Sequence, residues 1–431
     1  MKRIDKTAQK AYLENRLTRN AFEDTTVNQE VLTIIEAVRE GRDQAVKSMT
    51  ERFDKVAIDT FKVQQAEIAE AYALIDPVLI EDLRKAMANI NDFHTRQVET
   101  SFSVAVDALS CLEERVSAIE TVGLYVPGGT APLPSTVLMN AVPAKLAGVK
   151  KTVMVSPPNR EGKLAASVLV AADLVGVDEI YKVGGAQAIA ALAFGTETIP
   201  KVDKVVGPGN KYVTAAKRLL NGHVGIDMIA GPSEIVIVAD ASANPKFVAA
   251  DLLSQAEHDQ DATAILLTPS STLANKVAEE VKEQLAVLTR KAIAKASLEN
   301  YGAILVTDTL DEVIDIANQL APEHLEIMTV KDDYVLDRIY QAGSIFVGPY
   351  SAEPVGDYFA GTNHTLPTSG TARFSSPLSV RDFQKRTQII HYHQETFKKS
   401  AQRIIRLANE EGLTAHANAI QVRLEEEKDN D

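Results

Sequence analysis

The sequence predicts an α/β protein: two tandem Rossmann-like units with mainly parallel sheets, plus a small N-terminal arm and a helical C-terminal region. Three observations carry this. From Thr121 onward, short β-branched runs alternate with runs of helical spacing. Turns rich in glycine or proline close the strands of the first unit: Pro127-Gly128-Gly129, Pro157-Pro158, Gly184-Gly185 and Gly207-Pro208-Gly209-Asn210. The same rhythm then restarts after Val238, without a residue-level repeat. With 431 residues the chain is long enough for two or three domains and a large core.

In order, residues 1–25 are polar with scattered apolar positions and read as an arm. Helical spacing opens at Val31-Leu32-Ile34-Ile35-Ala37-Val38 and continues to about Val98. The first unit is predicted as strands at 121–126, 152–155, 179–183, 204–206 and 234–238, with helices at 138–149, 165–174, 186–194 and 212–220 between them. In the second unit, helices at 247–258, 274–287, 310–320 and 334–340 alternate with strands at 264–267, 303–306, 325–328 and 344–347. From Pro377 the chain reads as helical and charged, ending in the acidic run Glu425–Asp431, a solvated tail. The expected division is 1–25, then 26–120 joined with 238–376 as one discontinuous domain, 121–237, and 377–431.

Hydrophobic residues make up 45% and charged residues 24%, ordinary for a globular enzyme. A net charge of −14 argues against nucleic acid or an anionic membrane as the main partner. An anionic cofactor remains compatible, since backbone amides can hold it. The single cysteine, Cys111, allows no intrachain disulfide, so a reducing cytoplasm is expected. No apolar run approaches the ~20 residues of a membrane span, and no signal-peptide core follows Lys2 and Arg3.

Several stretches could carry chemistry. Gln255 and His258 are three apart at the end of an apolar-periodic run, and on a helix ~4.5 Å of rise and ~300° of turn put both on one face. Amid Glu257, Asp259 and Asp261 they could be two corners of a metal site, or simply a solvated helix end. Ala321-Pro322-Glu323-His324-Leu325 stands between a helix and a strand and could supply two proton-handling groups, or a helix-capping turn. The run from Glu353 to Tyr358, then Gly361-Thr362-Asn363-His364, has the look of a binding loop, in which Asp357 and His364 are metal-ligand types. The glycine turns could receive phosphate at the carboxyl ends of strands, or merely be tight turns; no G-x-G-x-x-G fingerprint is present. Cys111 lies away from these turns and is given no role.

Together these stretches resemble histidinol dehydrogenases. The likeness runs from Val122 to His416, and its most specific pieces are Gly231-Pro232-Ser233-Glu234, Gln255-Ala256-Glu257-His258-Asp259, Ala321–Leu325, Pro354–Tyr358 through Gly361–His364, and Gly412-Leu413-Thr414-Ala415-His416. The resemblance implies a cytoplasmic zinc enzyme that oxidises L-histidinol to L-histidine with two NAD⁺, via the aldehyde, in the last steps of histidine biosynthesis. It implies one zinc per subunit held by Gln255, His258, Asp357 and His416, with His416 given by the partner of a homodimer. It implies catalysis by Glu323 and His324. Substrate contacts would come from Ser233, Gln255, His258, His324, Asp357, Glu411 and His416, and NAD contacts from Tyr125, Gln187 and Asn210. The 121–237 domain would bind nucleotide, 26–120 with 238–376 would carry most metal and catalytic residues, and 377–431 would serve the partner's metal. An oxygen- and nitrogen-rich donor set suits a zinc that orients substrate. Two other classes remain: a zinc-dependent hydrolase or deaminase, with Glu323 and a metal-bound water attacking substrate, and a non-catalytic binding protein on the same fold.

Overall fold

The computed structural model describes residues 1–4, 6–17, 25–128 and 132–425; the turn residue Gly129 and most of the acidic tail lie outside them. The chain divides into two compact units, Met1–Val98 with Ile119–Phe383, and Glu99–Ala118 with Gln384–Asp431. The strands, in chain order, are β1 (Lys2–Ile4), β2 (Phe102–Ala105), β3 (Cys111–Ala118), β4 (Thr121–Tyr125), β5 (Lys151–Ser156), β6 (Glu179–Lys182) and β7 (Lys204–Val206). There follow β8 (Gly225–Ile226), β9 (Glu234–Ala239), β10 (Thr263–Thr268), β11 (Ala303–Val306), β12 (His324–Met328), β13 (Ser344–Val347) and β14 (Gln384–His391).

The larger unit contains two parallel sheets. One has the order β6-β5-β4-β7-β8, the other β1-β11-β10-β9-β12-β13. Counted from β4 in the first and from β9 in the second, each runs 3-2-1-4-5, the doubly wound order, with β1 added at the outer edge of the second beside β11. The strand order therefore reverses between β4 and β7 in one sheet and between β9 and β12 in the other. Strands such as Ile235-Val236-Ile237-Val238 are apolar throughout because helices cover both faces. Their alternation still sorts the core. Val153 and Val155 face one helical layer and Met154 the other; Ile235 and Ile237 face one layer, Val236 and Val238 the opposite one.

The packing of residues 26–98 departs from the expected grouping with 238–376. The helix Thr25–Asp54, which kinks at Arg42 (φ 45°), packs on helices Gly185–Phe194 and Lys211–Leu220. Gln65–Leu74 and Pro77–His94 cover Ala166–Val175 and Pro134–Leu146. All of them clothe the five-stranded sheet. Amphipathic spacing states that a helix has an apolar face, not which sheet will cover it. The expected arm is in part a structural element: β1 adds to β11 in parallel register and helix Lys6–Leu17 follows it. The region after Pro377 is not all helical. β14 pairs antiparallel with β3, which pairs with β2, and helices Gln394–Glu410 and Thr414–Glu425 complete the smaller unit. Cys111 lies on β3, half-buried. Among the described residues no helix is long and apolar enough to cross a membrane.

Candidate active site

The chemistry-bearing residues of the six-stranded sheet gather at the amino ends of β9 and β12, where the strand order reverses. Helix Leu310–Leu320 ends at Ala321, in the left-handed region (φ 45°), and Pro322 prevents its continuation. The chain turns straight into β12, which delivers Glu323 and His324 to a buried edge; they are 6% and 3% exposed. Both are held by the backbone of Glu234. The Glu323 carboxylate accepts the Glu234 N–H at 2.8 Å, and His324 Nδ1 donates to the Glu234 carbonyl at 3.1 Å. Because a carbonyl only accepts, this bond sets the tautomer of the neutral ring, in which Nε2 is the nitrogen that takes a proton. Among the described residues Nε2 has no hydrogen-bond partner, and it lies 3.8 Å from Asp357 Oδ1.

Two further elements face this edge. Helix Pro245–Ala256 carries Gln255 in its last turn, fully buried, with neither amide atom partnered among the described residues. His258 lies two residues beyond the helix end, in a turn whose N–H bonds to the Gln255 carbonyl at 3.2 Å. The expected shared helix face is thus replaced by a helix end followed by a turn, and the helix stops short of residue 258. The second element is a short helix, Glu353–Tyr358, with Pro354 in its first turn. Its i, i+4 spacing puts Glu353 and Asp357 on one side. Ligand atoms of His258, Glu353 and Asp357 all lie within 4.8 Å of one another. Ser254 Oγ donates to Glu353 Oε2 at 3.1 Å, while among the described residues Glu353 Oε1 has no hydrogen-bond partner. Behind them the buried Glu326 carboxylate accepts the Glu353 N–H at 2.9 Å.

The electrostatics match this crowding. Burial, reinforced by Asp357, pushes the Glu353 carboxyl up to about 8. Burial pushes Glu323 up to about 8 as well, against the pull of His324. Burial would lower the His324 imidazole, but Glu323, Asp357 and Glu353 outweigh it and hold it near 10. Asp357 is also raised by burial, yet His324, His364 and His258 hold it down at about 2. Buried acids at their ordinary charge need a cationic partner. Buried orphan donors at Gln255 and Glu353, with a nitrogen and a carboxylate beside them, fit a divalent ion of zinc type.

At the five-stranded sheet the candidates lie at the opposite, carboxyl edge. Tyr125 ends β4, and its hydroxyl accepts the Gly185 N–H at 3.1 Å. Gln187 sits buried in the first turn after β6, and Asn210 caps helix Lys211–Leu220 through the N–H groups of Tyr212 and Val213. Gly207 has φ 113°, and a Cβ there would collide with the Tyr125 carbonyl.

The family model for histidinol dehydrogenase matches residues 17–424. The chain belongs to the histidinol dehydrogenase family. It is 57% identical over 395 residues to the histidinol dehydrogenase of Geobacillus kaustophilus, covering 92% of this chain and 93% of that one. That of Halalkalibacterium halodurans is 54% identical over 398 residues, covering 92% and 94%. The crystal structure of histidinol dehydrogenase from Elizabethkingia anophelis superposes with a TM-score of 0.91 at 40% identity, covering 97% of this chain and 96% of that chain.

Of the residues that the resemblance to histidinol dehydrogenases singles out, the fold brings Glu323, His324, His258 and Asp357 together, with Gln255 on the adjoining helix. Ser233 immediately precedes β9, its carbonyl accepting from Thr263. Glu411 and His416 belong to the smaller unit, both exposed, at the end of helix Gln394–Glu410 and on helix Thr414–Glu425. His364 has both ring nitrogens engaged, Nδ1 to the Asp357 carbonyl at 3.0 Å and Nε2 to Thr136 at 3.2 Å. Glu353 and Glu326 were not singled out from the sequence. For Glu353 a signal existed: an acid four residues before Asp357, followed by proline at a helix start. Glu326 sits among apolar strand residues, where an acid signals only that something must pair with it.

Proposed function

We propose that the chain oxidises L-histidinol to L-histidine through the aldehyde, reducing two NAD⁺. The observation that supports this most is the His324–Glu323 pair, fixed by one backbone residue and facing a cluster of orphaned oxygen and nitrogen donors. Gln255, His258 and Asp357 would hold zinc, with Glu353 beside them. When bound there, zinc would keep the carboxylates ionised, lower the proton affinity of His324 and orient the nitrogens of the substrate. NAD⁺ would accept the hydride, held at the carboxyl edge of the five-stranded sheet by Tyr125, Gln187 and Asn210.

His324 takes the hydroxyl proton through Nε2 as the alcohol carbon loses hydride. The aldehyde adds water: Glu323 accepts a proton from that water while His324 returns the first proton to the former carbonyl oxygen, which gives a neutral hydrate and leaves His324 able to accept again. The hydrate is a second alcohol, so His324 removes its proton as the second hydride leaves, giving the acid. No thiol is needed, in keeping with Cys111 on a strand of the other unit. Ser233 and Glu411 would contact substrate. His416 would come from the second subunit of a homodimer as a further zinc ligand.

Metal content with reaction stoichiometry tests it. Two NADH per histidinol and about one zinc per subunit support the reading. One NADH means the reaction stops at the aldehyde; none, with histidinol hydrolysed or deaminated, favours the rival chemistry. Mixing inactive Gln255→Ala and His416→Ala subunits restores activity if the site is shared. No recovery despite proven subunit exchange refutes sharing.

A further inference from the structure

The turn Gly207–Asn210 stands at the strand-order reversal of the five-stranded sheet, directly after β7, where a doubly wound sheet receives its ligand. What fixes that turn is unusual. Lys217, two turns into the following helix, is a charged residue only 2% exposed. Its Nζ donates to the Gly207 carbonyl at 2.9 Å and to the carboxylate of Asp227. The Asp227 side chain is equally buried, at 1% exposure. Its Oδ2 accepts the Gly207 N–H at 2.8 Å, and its Oδ1 also takes the Met228 N–H at 2.7 Å. A buried ion pair thus grips both backbone groups of one glycine. That glycine is the one whose backbone lies against the Tyr125 carbonyl with no room for a side chain.

A buried ion pair is a weak device for stability, since desolvation consumes most of its attraction and an apolar pair often serves as well. It is a strong device for geometry, because each charge needs its partners at fixed positions. We infer that Lys217 and Asp227 are positioning residues for the nucleotide: they hold the Gly207–Asn210 turn, and Tyr125 against it, in the shape that NAD⁺ binds. This deepens the reading given above and rests on NAD⁺ binding at that edge. Neither side chain touches the ligand; both act through the Gly207 backbone.

The test uses the full-length enzyme with its metal, and NAD⁺ itself as probe. Single changes strand a buried charge and are expected to fold poorly, so the informative variant is Lys217→Met with Asp227→Asn. It removes both charges and keeps one acceptor for a backbone N–H. By calorimetry its affinity for NAD⁺ is expected to fall about tenfold, the scale of lost outer positioning contacts. The KM for histidinol should stay within about twofold and the melting temperature near that of the parent. Restoring the pair with Lys217→Arg alone should recover part of the affinity. Unchanged NAD⁺ affinity in the double variant overturns the inference, and so does an equal loss for NAD⁺ and histidinol accompanied by a lower melting temperature. Hydrogen exchange separates this from failure of the underlying reading. If NAD⁺ binds the parent yet protects no amides in 205–216, the nucleotide site lies elsewhere. If it protects them and the double variant binds as well as the parent, only the clamp is wrong.

Discussion

The two parallel sheets share a strand order and present opposite edges to chemistry. At the reversal between β4 and β7, glycine turns and a helix N-terminus occupy the carboxyl edge. At the reversal between β9 and β12, the amino edge holds Glu323, His324 and, across from them, Glu353 and Asp357. At the carboxyl edge of that second sheet Asp240 instead ties two loops together, accepting the Ser242 N–H at 2.9 Å and the Val330 N–H at 2.9 Å. Backbone amides suit a phosphate-bearing ligand, which asks for directional donors and little buried charge. Buried acids and imidazoles suit a metal and proton transfer, which ask for charge. One topology thus presents two kinds of surface, and the difference lies in which edge the polar side chains occupy.

This contrast can be broken most visibly at the acid-rich edge. His324→Asn should lower turnover by about 10²–10⁴-fold in both oxidations, whereas Glu323→Gln should chiefly slow the aldehyde step. Stopped-flow measurement of the two steps checks this, and equal losses from Glu323→Gln would sink the split of roles. Next in size, Gln255→Ala should weaken zinc at least tenfold by competition with a chelator, leaving NAD⁺ affinity in place. A drop in NAD⁺ binding of the same size would mean the edges are not separate.

At the glycine edge the expected effects are smaller. Gly207→Ala must adopt a φ of 113° against the Tyr125 carbonyl, a strain of roughly 1–3 kcal/mol. It should raise the KM for NAD⁺ several-fold with metal content unchanged. The smallest effect concerns Asp54, at the end of helix Thr25–Asp54, whose carboxyl burial pushes up to about 6. A carboxyl held above its unfolded value keeps its proton longer when folded, so its cost to stability appears as pH rises from about 4 through 6. Asp54→Asn should therefore raise the melting temperature by roughly 2 °C at pH 7 and leave it unchanged near pH 4. A gain of equal size at both values would trace the effect to packing.

Much of this was legible in the chain. The βα rhythm fell where the strands β4 to β7 and β9 to β13 lie, because fully covered strands are apolar throughout and their turns carry glycine. What escaped was whatever depends on distant partners. β14, Gln-Lys-Arg-Thr-Gln-Ile-Ile-His, is polar on both faces and is a strand only because β3 pairs with it. His258 falls past its helix because the chain turns after Glu257, which periodicity alone does not mark. The grip of Lys217 and Asp227 on Gly207 was invisible, since a lysine and an aspartate ten residues apart usually both face solvent.

The loop after Asp357 carries a mechanical implication. Asn363 donates to the Met139 carbonyl at 2.7 Å, and His364 meets Thr136, both on helix Pro134–Leu146 beside the other sheet. Any hinge that parted the sheets along this seam would tug on the segment bearing Asp357. Asn363→Ala, which cuts one of these ties, should therefore loosen the segment bearing Asp357 and weaken zinc binding, as read by competition with a chelator.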